Sequence, residues 1–164
     1  MEEVGGKDSE LLMAEWVDVD IEVALDSGCC DHVMDTEQCA PGYEVHESEG
    51  SRRGAAFLVG NGERIPNEGE VHLNLVATAT NGSGTLVQSV FQVAEVNRPL
   101  MSVSKVCDNG FACIFTKDGA YVLEGDRLGQ LEGLESASKF ERHNGLYTAK
   151  MKLKPPEPFR RQAQ

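Results

Sequence analysis

Val17-Asp18-Val19-Asp20-Ile21-Glu22-Val23-Ala24-Leu25-Asp26-Ser27-Gly28 is the stretch that decides the fold. Val17, Val19, Ile21, Val23 and Leu25 share one parity, while Asp18, Asp20 and Glu22 hold the other. That alternation is the period-two pattern of a half-buried strand. The strand runs straight into Asp26-Ser27-Gly28, a turn signal, which sets an ionisable carboxyl on a rigid strand end of the kind a preorganised site needs. Gly28 lets backbone and a second carboxylate come close, and the Ser27 hydroxyl can donate to a carboxylate and orient it. An Asp-Ser-Gly triplet by itself is an ordinary turn. The apolar run in front of it is what gives it weight.

Outward from this point, short apolar runs alternate with turn signals. Cys39 to Arg53 is rich in Gly, Pro, Ser and Glu and reads as an exposed loop. Ala55 to Val59 and Glu63 to Ile65 flank Gly60-Asn61-Gly62, a strong hairpin signal because Asn and Gly tolerate positive φ. Pro66-Asn67-Glu68-Gly69 bends the chain again. Val71, Leu73 and Leu75 alternate with His72 and Asn74, and a turn over Asn81 to Gly84 leads to a further strand over Leu86 to Val96. Asn81-Gly82-Ser83 also matches a glycosylation sequon, read here as turn chemistry. Leu100, Val103 and Val106 or Cys107 share a helical face, so a two-turn helix is expected from Leu100 to Cys107, ended by Asn109-Gly110. Hairpins are expected about Lys117-Asp118-Gly119 and about Asn144-Gly145.

Composition fits an all-β chain. The 164 residues suffice for one core plus tails, and 17 glycines with few aromatics suit frequent turns. The boundaries read as a flexible acidic segment over 1–15, one domain over 16–153 and a Pro-rich tail over 154–164. Fifteen basic against 27 acidic side chains give a net charge of −12, which repels phosphate backbones, so no direct nucleic-acid partner is expected. The basic cluster from Lys150 to Arg161 is broken by prolines and reads as a solvated tail. No apolar stretch approaches membrane-spanning length, and the acidic start is not a secretory signal. An odd set of five cysteines then points to reduced thiols in a cytoplasmic protein without a membrane partner. Cys29, Cys30, His32 and Cys39 lack the CxxC spacing of strong zinc sites, so neither a metal site nor a cofactor is expected.

The segment Ala24-Leu25-Asp26-Ser27-Gly28-Cys29-Cys30-Asp31-His32-Val33-Met34 resembles the active-site segment of copia-type retrotransposon proteases. In those, an apolar run leads into Asp-Ser-Gly, followed by a His and an apolar residue. Val59-Gly60-Asn61-Gly62, with Ile65 and Gly69, is similar to the family's Gly-rich flap and the strand after it. Leu100-Met101-Ser102-Val103-Ser104-Lys105-Val106, with Gly110, resembles its Leu-Leu-Ser-Val-Ser segment and the glycine that follows. Asn144-Gly145-Leu146-Tyr147 is like the stretch before the next polyprotein region.

The resemblance implies a retropepsin-like closed all-β fold with one short helix near the C-terminal part, working as a homodimer. It implies an aspartic endopeptidase that cuts an extended polypeptide, naturally its own polyprotein. Asp26 would be catalytic and Ser27 and Gly28 its turn. Cys29, Cys30, Val59, Gly60, Asn61 and Gly62 would bind substrate. Two features depart from the pattern. Cys29 stands where Ala is usual, and with Cys30 it forms a vicinal thiol pair that would make activity redox-sensitive. Ser102 stands where retropepsins more broadly carry Gly. His32 is open to two roles, substrate contact or a hydrogen-bonded structural histidine. Three rival readings stand beside the protease: a catalytically inactive, repurposed domain for dimerisation or protein binding; a small acidic β-sandwich or barrel; and a cysteine protease using Cys29 or Cys30 with His32.

Overall fold

The computed structural model describes residues 21–39, 42–127, 140–143, 146–148 and 150. Strand β1 (Ala24–Asp26) is the end of the alternating stretch quoted above, whose first four residues lie outside the described ones. Strand β2 (Val33–Met34) follows the Asp26 turn. Strands β3 (Ala56–Leu58) and β4 (Arg64–Pro66) form the expected glycine-tipped hairpin. Strands β5 (Gly69–Thr78) and β6 (Gly84–Val93) pair over ten residues each as the expected long hairpin. Strand β7 (Leu100–Ser102) completes the main sheet.

That sheet has five strands in the order β1-β7-β2-β6-β5. β1 runs parallel to β7 and β2 parallel to β6, while β7–β2 and β6–β5 are antiparallel. β7 thus returns from far along the chain and inserts between β1 and β2. The connection that carries Asp26, Ser27 and Gly28 must pass over the end of β7, and this crossing positions the site.

The core follows from the alternation in β5 and β6. Val71, Leu73, Phe91 and Val93 turn inward and pack with Met34 into one buried cluster. Each such side chain contributes roughly 1.5–3 kcal/mol on burial. Val23, Cys39, Tyr43, Leu75 and Met101 close around it.

Three expectations are corrected. Among the described residues the sheet is open, with β1 and β5 at its edges, rather than a closed β fold. The expected helix from Leu100 divides into β7 and helix α2 (Val103–Asp108), because Leu100 and Met101 pair with Ala24 and Leu25 before Ser102 caps the helix. The Cys39 to Arg53 loop holds a second one-turn helix, α1 (Glu49–Arg52), and a 3-10 turn (Thr36–Gln38) precedes that loop, so there is more than one short helix. Ser48 and Asp35 each build a capping box there, a signal the sequence carried in polar residues.

The hairpins β8 (Phe111–Thr116) with β9 (Gly119–Glu124) and β10 (Glu141–His143) with β11 (Leu146–Thr148) form where expected. The segments 1–15 and 154–164 lie outside the described residues. Among the described residues no helix is long and apolar enough to cross a membrane.

Candidate active site

Asp26 ends β1 directly beside Ser102 of β7. Its carboxylate accepts the Gly28 amide at 2.7 Å, which fixes the side chain over the turn. A Cβ at position 28 would stand 3.3 Å from Asp26 Oδ1, so glycine serves here by leaving room. Ser27 is exposed and makes no hydrogen bond to Asp26; the orienting donor is the Gly28 backbone.

The loop after the turn is clamped from below by Ser102, which is fully buried. Its hydroxyl donates to the Cys29 carbonyl at 2.5 Å and lies 2.9 Å from the Ser104 hydroxyl. The same oxygen accepts the Lys105 amide at 3.3 Å, capping α2. The Ser102 amide donates to His32 Nδ1 at 2.9 Å. Ser102 therefore ties the Asp26 loop, β7 and α2 together through one residue.

His32 is buried and stacks on Phe91 with ring centroids 5.1 Å apart. An acceptor at Nδ1 is the neutral imidazole with its proton on Nε2. Burial pushes the His32 pKa down and Lys105 adds to this, against an opposing pull from Asp31. Of its two open roles, the geometry matches the structural one.

Cys29 is half-buried and donates its thiol to the Asp31 carbonyl at 2.7 Å. Burial pushes the thiol pKa up, and the nearby charges of Asp26, Cys30 and Asp31 add to it, against the lowering effect of the Asp31 backbone bond. A protonated thiol is a poor nucleophile and resists oxidation. With His32 Nδ1 engaged by Ser102, Cys29 and His32 do not form a nucleophile–base pair. Any redox response at this turn falls to the exposed Cys30.

The facing wall is the β3–β4 hairpin. Phe57 pairs with Ile65, and the tip closes through Val59 N–H to the Glu63 carbonyl at 3.0 Å and Gly62 N–H to the Val59 carbonyl at 2.9 Å. Gly62 has φ of 84°, so the turn needs the left-handed conformation that glycine provides. The root of the hairpin is tied down. Asn67 donates through Nδ2 to Gln92 at 2.9 Å and accepts from the Ser48 hydroxyl at 3.2 Å and the Gly69 amide at 2.9 Å.

Between these walls lies an open cleft of about 890 Å³. Asp26, Gly28, Cys29 and Cys30 line one side, and Val59 and Gly60 lie opposite, with Phe57, Leu58 and Ile65 beside them. Six of the nine expected site residues therefore meet in one cleft, whereas Ser27, Asn61 and Gly62 lie outside its lining. Ser102, Asn67, Gln92 and Ser48 were missed as site supports. Ser48 caps a helix, Asn67 lies in the turn between β4 and β5, Gln92 stands on the non-core parity of β6, and Ser102 ends β7, so their joint role becomes legible only with the topology in hand. Among the described residues no group of three or more His, Cys, Asp or Glu side chains is placed to hold a metal ion.

Compared with protein-family models, curated proteins and solved structures, the chain has no match in any of the three.

Proposed function

We propose that the chain is one protomer of a retropepsin-like aspartic endopeptidase, active as a homodimer on an extended polypeptide. The observation that carries this reading is the pairing of an oriented carboxylate, Asp26, with a glycine-tipped hairpin across one open cleft. A single carboxylate cannot serve as both acid and base in one hydrolytic step. Two copies of Asp26 brought together by a twofold axis can, because carboxyls about 3 Å apart cannot both ionise and so share one proton.

In the proposed step, the ionised member takes a proton from water while the oxygen attacks the scissile carbonyl carbon. The protonated member gives its proton to the carbonyl oxygen, forming a neutral diol. Collapse of the diol breaks the C–N bond, and the proton taken from water passes to the leaving amine. The Gly28 amide holds the carboxylate in place throughout, and Ser102 and His32 hold the loop. The hairpin would close over the substrate and hydrogen-bond its backbone. Phe57, Ile65, Val33 and Leu100 give the cleft apolar walls suited to apolar side chains beside the cut. In keeping with the resemblance, the natural substrate would be a polyprotein that contains the chain, processed in the cytoplasm.

The test is cleavage of an unstructured protein by the wild type and Asp26→Asn between mildly acidic and neutral pH, at several enzyme concentrations. Cleavage that rises faster than linearly with concentration and disappears in the variant is the expected result. If neither protein cuts while sedimentation shows dimers, the enzyme reading fails and a repurposed dimerisation scaffold takes its place.

A further inference from the structure

The distal part of the β5–β6 hairpin is unlike the rest of the surface. From Leu73 to Ala94 the chain has no Asp, Glu, Lys, Arg or His, the longest such run in a sequence that is 26% charged. These residues are not simply core. Val76 and Leu86, directly opposed across the hairpin, are 62% and 65% exposed, and Val90 is 44% exposed on the same face.

The hairpin also has an open edge. β6 pairs with β2 only through Gln92 and Val93. The Gln92 amide donates to the His32 carbonyl at 2.7 Å and the Ala94 amide to the Met34 carbonyl at 3.0 Å, so even-numbered amides of β6 point away from β5. By strand alternation those of Gly84, Leu86, Gln88 and Val90 point the same way, and among the described residues nothing pairs with them. An uncharged, partly apolar strand edge left unpaired is a template for another strand.

We infer that this edge pairs antiparallel with the same edge of a second copy, forming an interface separate from the Asp26 dyad. The argument for a second copy is electrostatic and geometric. Two chains of net charge −12 repel wherever their acidic surfaces meet, so self-association is least opposed at a surface without charges. β6 is also self-complementary about Gln88. A twofold axis there sets Gln88 against itself and Leu86 opposite Val90 of the partner subunit, so that the outward amides and carbonyls of Leu86, Gln88 and Val90 pair and the ladder ends at Gly84, opposite the Gln92 that β2 already holds. Val76 adds its side chain to the same apolar face. Contact is isologous and closes on itself, as a twofold pair must.

The inference does not depend on the protease reading, and its test uses no activity. Sedimentation of the full chain is compared with Val76→Lys/Leu86→Lys. The lysines lower the net negative charge, so general repulsion weakens while the apolar edge is lost. Both positions are exposed, so the fold is expected to survive, and circular dichroism checks it. The expected result is self-association weakened at least about tenfold despite the lower charge. In a second measurement, Gln88→Cys is oxidised mildly and the linked peptides are identified by mass. A position 88 to position 88 intermolecular disulfide is expected, since hydrogen-bonded antiparallel partners stand ~5.5 Å apart at Cα, within disulfide reach. A monomeric wild type, or unchanged association in the lysine variant without the 88–88 link, overturns the proposal. So does a foreign strand captured by a chain that stays monomeric. Loss of the Asp26 activity alone leaves this outcome untouched.

Discussion

The two walls of the cleft are built in opposite ways. The Asp26 turn is held by buried groups from distant parts of the chain: Ser102 on the Cys29 carbonyl, His32 on the Ser102 amide, and Ser102 again on α2. The β3–β4 tip is held by its own neighbours, Val59, Asn61 and Glu63, within a few residues, and no atom lies within 4 Å of a Cβ built at Gly60 or Gly62. Long-range polar contacts inside a buried network rigidify, whereas local contacts on an exposed tip belong to the low-stability end of a structure. The difference suits a site in which one wall fixes the reacting carboxyl and the other admits and covers a chain.

The largest effect that sharpens the comparison is at Asp26. If Asp26 acts as proposed, Asp26→Asn should lower peptide cleavage by at least about 10³-fold while thermal unfolding stays close to wild type, because the proposed role of the group is chemical and the Gly28 amide still finds a carbonyl oxygen. A large loss of stability in that variant would make Asp26 a structural residue.

Next is the clamp. Ser102→Ala strips a hydrogen bond from the Cys29 carbonyl, leaves the Ser104 hydroxyl short of a partner and removes the α2 cap. The expected cost is about 2–4 kcal/mol in urea unfolding. A loss below about 0.5 kcal/mol would mean that the loop is not held from beneath.

His32 makes the clamp pH-dependent. Its folded pKa lies below the ordinary value, with burial the first cause. The unfolded chain takes up a proton near pH ~6.5, which the folded chain resists. Stability from this group is therefore full above that pH and is lost as pH falls through the folded value. Thermal unfolding should shift down between neutral and mildly acidic pH. His32→Gln, whose side-chain oxygen still accepts the Ser102 amide without titrating, should flatten that shift. An equal pH response in both proteins would place the effect elsewhere. The same acid range is where an aspartic dyad works, so turnover and stability should pull in opposite directions there.

Of the stability losses expected at Ser102 and Gly62, the smaller is on the facing wall. Gly62→Ala forces a side chain into a left-handed conformation at an exposed turn and should cost about 1 kcal/mol. Its effect on cleavage should exceed its effect on unfolding. Proportional losses in both would give the tip the same rigidity as the turn and erase the contrast.

Local pattern made much of this molecule readable. Alternation placed β5 and β6, Gly60 to Gly62 placed the β3–β4 turn, and Asp118-Gly119 placed the β8–β9 turn, because period and turn chemistry are properties of neighbouring residues. Ser102 shows where such reading stops. In sequence it falls within the helix expected from Leu100 to Cys107; in the fold it ends a strand. The parallel pairing of Leu100 and Met101 with Ala24 and Leu25 overrides a two-turn helical period, and no local window contains both partners. His32 is similar, since its role rests on an amide 70 positions away in the chain.

The sequence by itself determined the mainly β character, the hairpins, and the placing of an Asp-Ser-Gly turn at a strand end. Each is set by side-chain parity and by the backbone freedom of Gly and Asn. Only the tertiary structure decided that β7 inserts between β1 and β2, that Ser102 and His32 lock the turn, and that the Gly60 wall faces Asp26. Those are contacts between residues far apart in the chain, and their energy comes from burying polar groups with satisfied partners, which exist as partners only once the sheet has formed.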